Sequence, residues 1–335
     1  MKKRKILPLL QLALGIGIIL LIFLKLKNQG SLGQLAAALR GVAHHWPFLA
    51  AGLLGYGGCI LICAIRWRWL LRAQGLLLPF RRVIELYFIG QFFNSFLPGA
   101  VSGDFVKAYF AAKETDRKKT EAVSTVFIDR IIGLLGLIIL AVSVMIARLP
   151  FFLAYPKTRV ALVFNVILLA LAVGAALLIF RRNAFERWPL FRRLEAKTSL
   201  GEIVSRAYRA FHVCISHRGL LFRTTAVSAL NHLVLVGVCA LLGRALGIGL
   251  PFGDYLAVFL VINAVAAIPV TPGGLGTRES ASIYLLGVFD VPAPTAFTLS
   301  LLIYATILCW SLVGGVVYLC SALRAYRQES GPAVK

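Results

Sequence analysis

Acidic residues are scarce in this sequence: 13 aspartates and glutamates stand against 36 lysines and arginines in 335 residues, and the four types together make up only 15%. So little charge among 59% apolar residues excludes a disordered chain, which needs low hydrophobicity. It also excludes a basic nucleic-acid binder, whose charge is carried on a soluble fold, so no nucleic-acid partner is expected. Cysteine offers no chemistry either. Cys59, Cys63, Cys214, Cys239, Cys309 and Cys320 contain no C-x-x-C pair, and all but Cys214 lie in apolar stretches, which argues against zinc and disulfide frameworks. No nucleotide-binding loop, metal-ligand spacing or nucleophile–base pair is visible, and neither a metal nor a cofactor is expected.

What the sequence has in quantity is apolar length. Mean hydropathy is +0.85, and the apolar share exceeds the roughly 45–50% of soluble domains. The chain therefore reads as an all-α polytopic membrane protein, a single membrane domain over residues 1–335. Met1-Lys2-Lys3-Arg4-Lys5 precedes an apolar run from Ile6 to Leu24 that outlasts the ~7–15 residues of a cleavable signal core, and it reads as a retained anchor. Phe48–Ile65, Ala122–Ala147, Val160–Phe180, Thr224–Gly243 and Ala296–Cys320 are each close to the ~17–25 residues needed to cross hydrocarbon, giving six full transmembrane helices. Two further stretches are interrupted: residues 83–112 at Leu97-Pro98-Gly99, and residues 255–289 between Pro269 and Gly276. Val83–Leu97 amounts to about 22 Å of helix, short of a ~30 Å core.

Lysine and arginine placement orients these pieces. With the N-terminus cytoplasmic, Arg66, Arg68, Arg72, Arg81 and Arg82 lie inside, and so do Lys113, Arg117, Lys118 and Lys119 beyond the first interrupted stretch. That stretch then reads as a re-entrant hairpin entered from the cytoplasm, with two full crossings at each break as the alternative. The ten lysines and arginines from Arg181 to Arg223 return the chain to the cytoplasmic side, and Arg324, Arg327 and Lys335 place the 326–335 tail there. The second hairpin must enter from outside. Residues 1–150 and 151–325 thus read as two halves of an inverted-topology repeat, each with three crossings and one hairpin. Even the connectors correspond: Leu32, Leu35, Leu39 and Val42 recur at helical spacing in one half, and Val204, Tyr208, Phe211 and Ile215 in the other, as interfacial helices would. Broken helices meeting near the midplane of such a repeat are a transporter architecture.

The two breaks supply the candidate site. In the first, Gly99 and Gly103 let backbone approach a ligand, and a helix starting near Ser102 would offer free N–H groups to an anion, with Asn94 and Pro98 before it. Asp104 either stabilises that helix start or acts on substrate. Lys107, one turn on, either pairs with Asp104 or meets a phosphate. In the second, Thr271 or Thr277 can cap a helix that Pro272 opens, Gly273, Gly274 and Gly276 leave the backbone bare, and Asn263 precedes it as Asn94 precedes the first. Arg278 either grips phosphate or snorkels to water, with Glu279 placed to neutralise it. Asp129-Arg130 enters an apolar run, where ionisable groups mark a functional site or an interhelical salt bridge. His232, beside Asn231 in a span, is a weaker signal.

At Asn94–Asp104, Asp129-Arg130 with Gly133-Leu134, and Pro269-x-Thr271-Pro272-Gly273-Gly274-x-Gly276-x-x-Glu279, the sequence resembles the lysylphosphatidylglycerol synthase transmembrane, or flippase-like, family. The resemblance covers roughly residues 5–325. It implies a module that moves an aminoacylated anionic phospholipid across the bilayer. No soluble synthase domain follows the last span, so a stand-alone member that transports rather than catalyses is expected. The lipid is not inherited by analogy: a phospholipid, an aminoacyl-phospholipid or an envelope glycolipid or isoprenoid lipid all remain open. So do a lipid-headgroup-modifying enzyme and a non-catalytic partner of an envelope lipid synthase or glycosyltransferase. The expected partners are membrane lipids with anionic headgroups, with a homo-oligomer or an envelope-synthesis enzyme beside them. The expected location is the cytoplasmic (inner) membrane of a prokaryote, with both termini cytoplasmic.

Overall fold

A computed structural model describes residues 3–97, 102–180, 217–268 and 270–330, and every regular element among them is helical. Pro98, Gly99, Pro269 and the amphipathic stretch containing Val204, Tyr208, Phe211 and Ile215 lie outside the described residues. The helices are α1 (Lys3–Asn28), α2 (Leu32–His44), α3 (Trp46–Ala73), α4 (Phe80–Phe96), α5 (Ser102–Lys113), α6 (Lys119–Ala147), α7 (Leu149–Ala154), α8 (Pro156–Phe180), α9 (Arg218–Ala245), α10 (Phe252–Ala267), α11 (Thr277–Leu286) and α12 (Ala293–Ser330).

Among the described residues, Trp46–Ala73, Lys119–Ala147, Pro156–Gly174, Arg218–Ala245 and Ala293–Arg324 are long and apolar enough to cross a bilayer. α1, at 26 residues, is about 39 Å long and exceeds the ~30 Å core as well. The fold is therefore all-α and multi-pass. Two boundaries move. α3 continues past the expected end at Ile65, so Arg66, Arg68 and Arg72 ride on a helix rather than a cytoplasmic loop. α12 runs to Ser330, so residues 326–330 prolong a helix instead of beginning a tail.

Both interrupted stretches are helical hairpins, α4–α5 and α10–α11, whose limbs pack against each other. Their breaks share a cause. Leu97 and Ile268 are extended, with ψ 139° and 128°, and each precedes a proline in the sequence, which disfavours helix in the residue before it. Their beginnings match too. α3 and α9 each end in a glycine of left-handed conformation, Gly75 (φ 70°) and Gly247 (φ 76°). The next residue donates back five positions in each case, Leu76 N to Leu71 O and Ile248 N to Gly243 O, both at 2.9 Å. Leu76 and Ile248 are buried, and Leu78-Pro79-Phe80 or Leu250-Pro251-Phe252 then opens the hairpin. The same Gly-x-x-Leu-Pro-Phe junction thus leads into both hairpins.

Small residues set how closely the helices approach. Val238 and Leu242 of α9 fill the space beside Gly52 and Gly55 of α3, Gly136 of α6 lies on Ser228 of α9, and Gly314 of α12 lies on the carbonyl of Phe88 in α4. One apolar cluster joins α6, α9, α10, α11 and α12, and a second joins α3, α4, α5 and α6. An ion pair closes the base of the first hairpin, Arg82 to Glu114 at 2.8 Å, and another ties the start of the second to the end of α6, Arg148 to Asp254.

Candidate functional site

A cavity of about 340 Å³ lies between the two hairpins, with walls from α3, α4, α5, α6, α9, α10 and α12, from the turn before α11 and from the start of α11. That volume is in the range of small-molecule sites. Of the residues singled out from sequence, Asn94, Asp104, Lys107, Asp129, Arg130, Asn263, Thr271, Gly273 and Arg278 line it. Ser102, Gly103, Gly274, Gly276 and Glu279 do not, and of Pro272 only the backbone, in a 3-10 turn over Pro272–Gly274, is described.

At the first break, described again from Ser102 onward, part of the polar capacity expected to face an anion is spent on the hairpin itself. The Gly103 N–H donates to Asn94 Oδ1 at 3.0 Å, and Ser102 Oγ donates to the Phe93 and Leu97 carbonyls. Gly103 serves the hairpin itself: an added Cβ would collide with the Gly90 carbonyl and the Asn94 backbone, so only glycine lets α4 and α5 come this close. Lys107 does not pair with Asp104. Its buried ammonium sits 3.7 Å from Asp129 Oδ2 and over the rings of Trp67 and Tyr87, at 4.4 and 4.2 Å from their centroids. Asp104 instead meets Arg130 at 3.2 Å.

Asp129 has a second partner that sequence reasoning assigned to the cytoplasmic rim. Arg66 is buried, donates from Nε to Asp129 Oδ1 at 2.7 Å, and reaches Ser228 Oγ through Nη1 at 2.7 Å. The signal for it was available: Cys59, Cys63, Arg66 and Leu70 fall on one helical face, which continues the inward face of the span one turn beyond its apolar run. Asn231 and His232, the weaker signals, both line the cavity. His232 Nε2 lies 3.1 Å from the Gly133 carbonyl.

The second break is built around Glu279. Neither Thr271 nor Thr277 caps α11; the N-cap is Gly276, whose N–H donates to Glu279 Oε2 at 2.5 Å. Ser300 donates to the other carboxylate oxygen at 2.9 Å, and Glu279 is 0% exposed. Its acceptors are thus taken by the fold, and no ion pair joins it to Arg278. Gly276 (φ 84°) rests against Gly15 and Ile18 of α1, and Gly274 (φ 74°) against Ala266, so these glycines shape the turn rather than bare it to a ligand. Arg278 turns into the cavity. Its Nη2 donates to the Gly273 carbonyl at 2.9 Å, while Nε and Nη1 are buried with no hydrogen-bond partner among the described residues. The same holds for Asn263 Nδ2 and Thr271 Oγ1 beside it, and for Asn231 Oδ1 and His232 Nδ1, which also line the cavity. Buried polar groups are ordinarily satisfied, so this concentration of spare capacity makes the cavity the candidate binding site.

Known proteins identify the family. Residues 9–315 match the lysylphosphatidylglycerol synthase TM region. A UPF0104 membrane protein of Pyrococcus horikoshii is 29% identical over 299 residues, covering 81% of this chain and 86% of the relative. A UPF0104 membrane protein of Methanothermobacter thermautotrophicus is 24% identical over 282 residues, covering 76% and 78%. A multi-pass helical chain matched along nearly its whole membrane region belongs to the family of the lysylphosphatidylglycerol synthase TM region, a membrane family tied to lipid metabolism.

Proposed function

We propose that this protein moves an anionic membrane lipid across the bilayer, with the headgroup held in the cavity between the hairpins and the acyl chains left in lipid. The observation that carries this reading is Arg278: a buried arginine with free N–H groups, at the tip of a broken helix, facing a polar cavity inside an apolar helix bundle. Uncompensated cationic donors at membrane depth are costly, and an anionic ligand offsets that cost. The lipid connection of the family supports the same conclusion.

In this reading the chain is an inverted repeat of residues 1–150 and 151–325, supported by the matched Gly-x-x-Leu-Pro-Phe junctions. The first hairpin enters from the cytoplasm and the second from outside, with both termini cytoplasmic. Rocking of the halves about the cavity exposes the headgroup to each side in turn. Reconstituted in liposomes, the full chain is expected to speed transbilayer movement of labelled phosphatidylglycerol, and Arg278→Ala to return the rate to that of protein-free vesicles. Undiminished flux in that variant, with the wild-type melting profile, would remove Arg278 from the mechanism.

A further inference from the structure

The charges around the cavity are unevenly satisfied. Both lining carboxylates already face cations: Asp129 meets Arg66 at 2.7 Å and Lys107 at 3.7 Å, and Asp104 meets Arg130 at 3.2 Å. Arg278 has no such partner. It is 9% exposed, and only its Nη2 is engaged, on a backbone carbonyl. Glu279 follows it in sequence but stands outside the cavity wall, with its oxygens on Gly276 N and Ser300 Oγ. Even with Glu279 counted, the cations Arg66, Lys107, Arg130 and Arg278 outnumber the carboxylates.

Asp104 Oδ2 accepts no hydrogen bond, but it faces Arg130, so a bound ammonium group would find no carboxylate without a cation beside it and would face several cations, at a depth where screening is weak and like-charge repulsion strong. A phosphodiester meets the opposite conditions. Its non-bridging oxygens suit the free N–H groups of Arg278, with Asn263 Nδ2 and the 1%-exposed Thr271 hydroxyl as further donors on the same side. Asn231 Oδ1 and His232 Nδ1, which also line the cavity, can accept from a headgroup hydroxyl or amide, and neither carries the charge that would offset an ammonium group.

We infer that the cavity selects a lipid whose headgroup carries a phosphodiester monoanion and no ammonium group, and so discriminates against aminoacylated and ethanolamine headgroups. The inference rests on the lipid-transport reading and narrows it. The test is competition for fluorescent phosphatidylglycerol bound to the full chain in neutral detergent. Unlabelled phosphatidylglycerol, phosphatidylethanolamine, lysyl-phosphatidylglycerol and soluble glycerol 3-phosphate serve as competitors. Phosphatidylglycerol is expected to displace the probe at least tenfold more effectively than either amine-bearing lipid. Arg278→Gln should weaken phosphatidylglycerol binding at least tenfold, whereas Arg130→Gln, which frees Asp104, should improve the amine-bearing lipids relative to phosphatidylglycerol. Equal displacement of the wild-type complex by an amine-bearing lipid overturns the charge selection and leaves lipid binding standing. Failure of the probe to bind, or displacement by glycerol 3-phosphate as effective as by phosphatidylglycerol, overturns the lipid reading beneath it.

Discussion

Asp129 holds two cations on one carboxylate, and the three side chains come from three helices: Arg66 from α3, Lys107 from α5 and Asp129 from α6. Such a buried cluster contributes little net stability relative to a well-packed apolar core, but removing one member leaves the others uncompensated. Arg66→Met is accordingly expected to cost about 3–5 kcal/mol, because Asp129 then retains only the longer contact to Lys107 and Ser228 loses its donor. Thermal unfolding in detergent would show this as a lower midpoint; an unchanged midpoint would mean that Lys107 alone compensates the carboxylate. The sequence marked Asp129 and Lys107 as unusual, since charge inside an apolar run is legible by inspection. It did not pair them, because which carboxylate lies nearer a lysine depends on how α5 docks against α6. Arg66 was passed over for a related reason: hydropathy ends a span where the apolar run ends, whereas α3 continues to Ala73 and carries Arg66 on the face that borders the cavity.

The proposed transport rests on the two hairpins, and their geometry is set by few residues. Proline after Leu97 and after Ile268 stops both first limbs, while the approach of the limbs to each other is set by glycine. Gly103→Ala would drive a methyl group into the Gly90 carbonyl and the Asn94 backbone, atoms that no side-chain rotation can move aside. The expected cost is about 1–3 kcal/mol, with α5 displaced from α4 and the Asn94–Gly103 hydrogen bond lost. Faster hydrogen exchange of amides in the 102–113 helix, with exchange in 46–73 unaltered, is the signature to look for; uniform exchange across both would show that the hairpin is not held at this point. The breaks themselves were legible from Leu97-Pro98-Gly99 and Pro269 to Gly276. The purpose of the glycines was not, because a glycine that admits a ligand and one that admits a neighbouring helix look alike in sequence. Gly103, Gly274 and Gly276 admit protein, and Gly273 borders the cavity.

At the scale of the whole molecule the proposed inverted repeat makes a topological prediction. Leu77, exposed between α3 and α4, and Phe252, exposed at the start of α10, occupy the two matched junctions. In a background with all six native cysteines replaced, Leu77→Cys should react with an impermeant maleimide only from the cytoplasmic side, and Phe252→Cys only from the other. Labelling of both from one side would rule the inversion out. Helical class, multi-pass character and the two interruptions followed from the sequence, because the bilayer demands ~20 apolar residues per crossing and tolerates irregular backbone only where it is buried or lines a cavity. The repeated Gly-x-x-Leu-Pro-Phe at 75–80 and 247–252 is local information too, since a left-handed glycine and a fixed proline act within a few residues. Only the tertiary structure decided which charges meet. Arg66, Lys107 and Asp129 are separated by up to 63 positions, and Glu279 is withdrawn from Arg278, its sequence neighbour, by Gly276 and Ser300. Ion pairing inside a bundle depends on angstrom-scale distance and on desolvation, and both are fixed by how helices pack rather than by where residues stand along the chain.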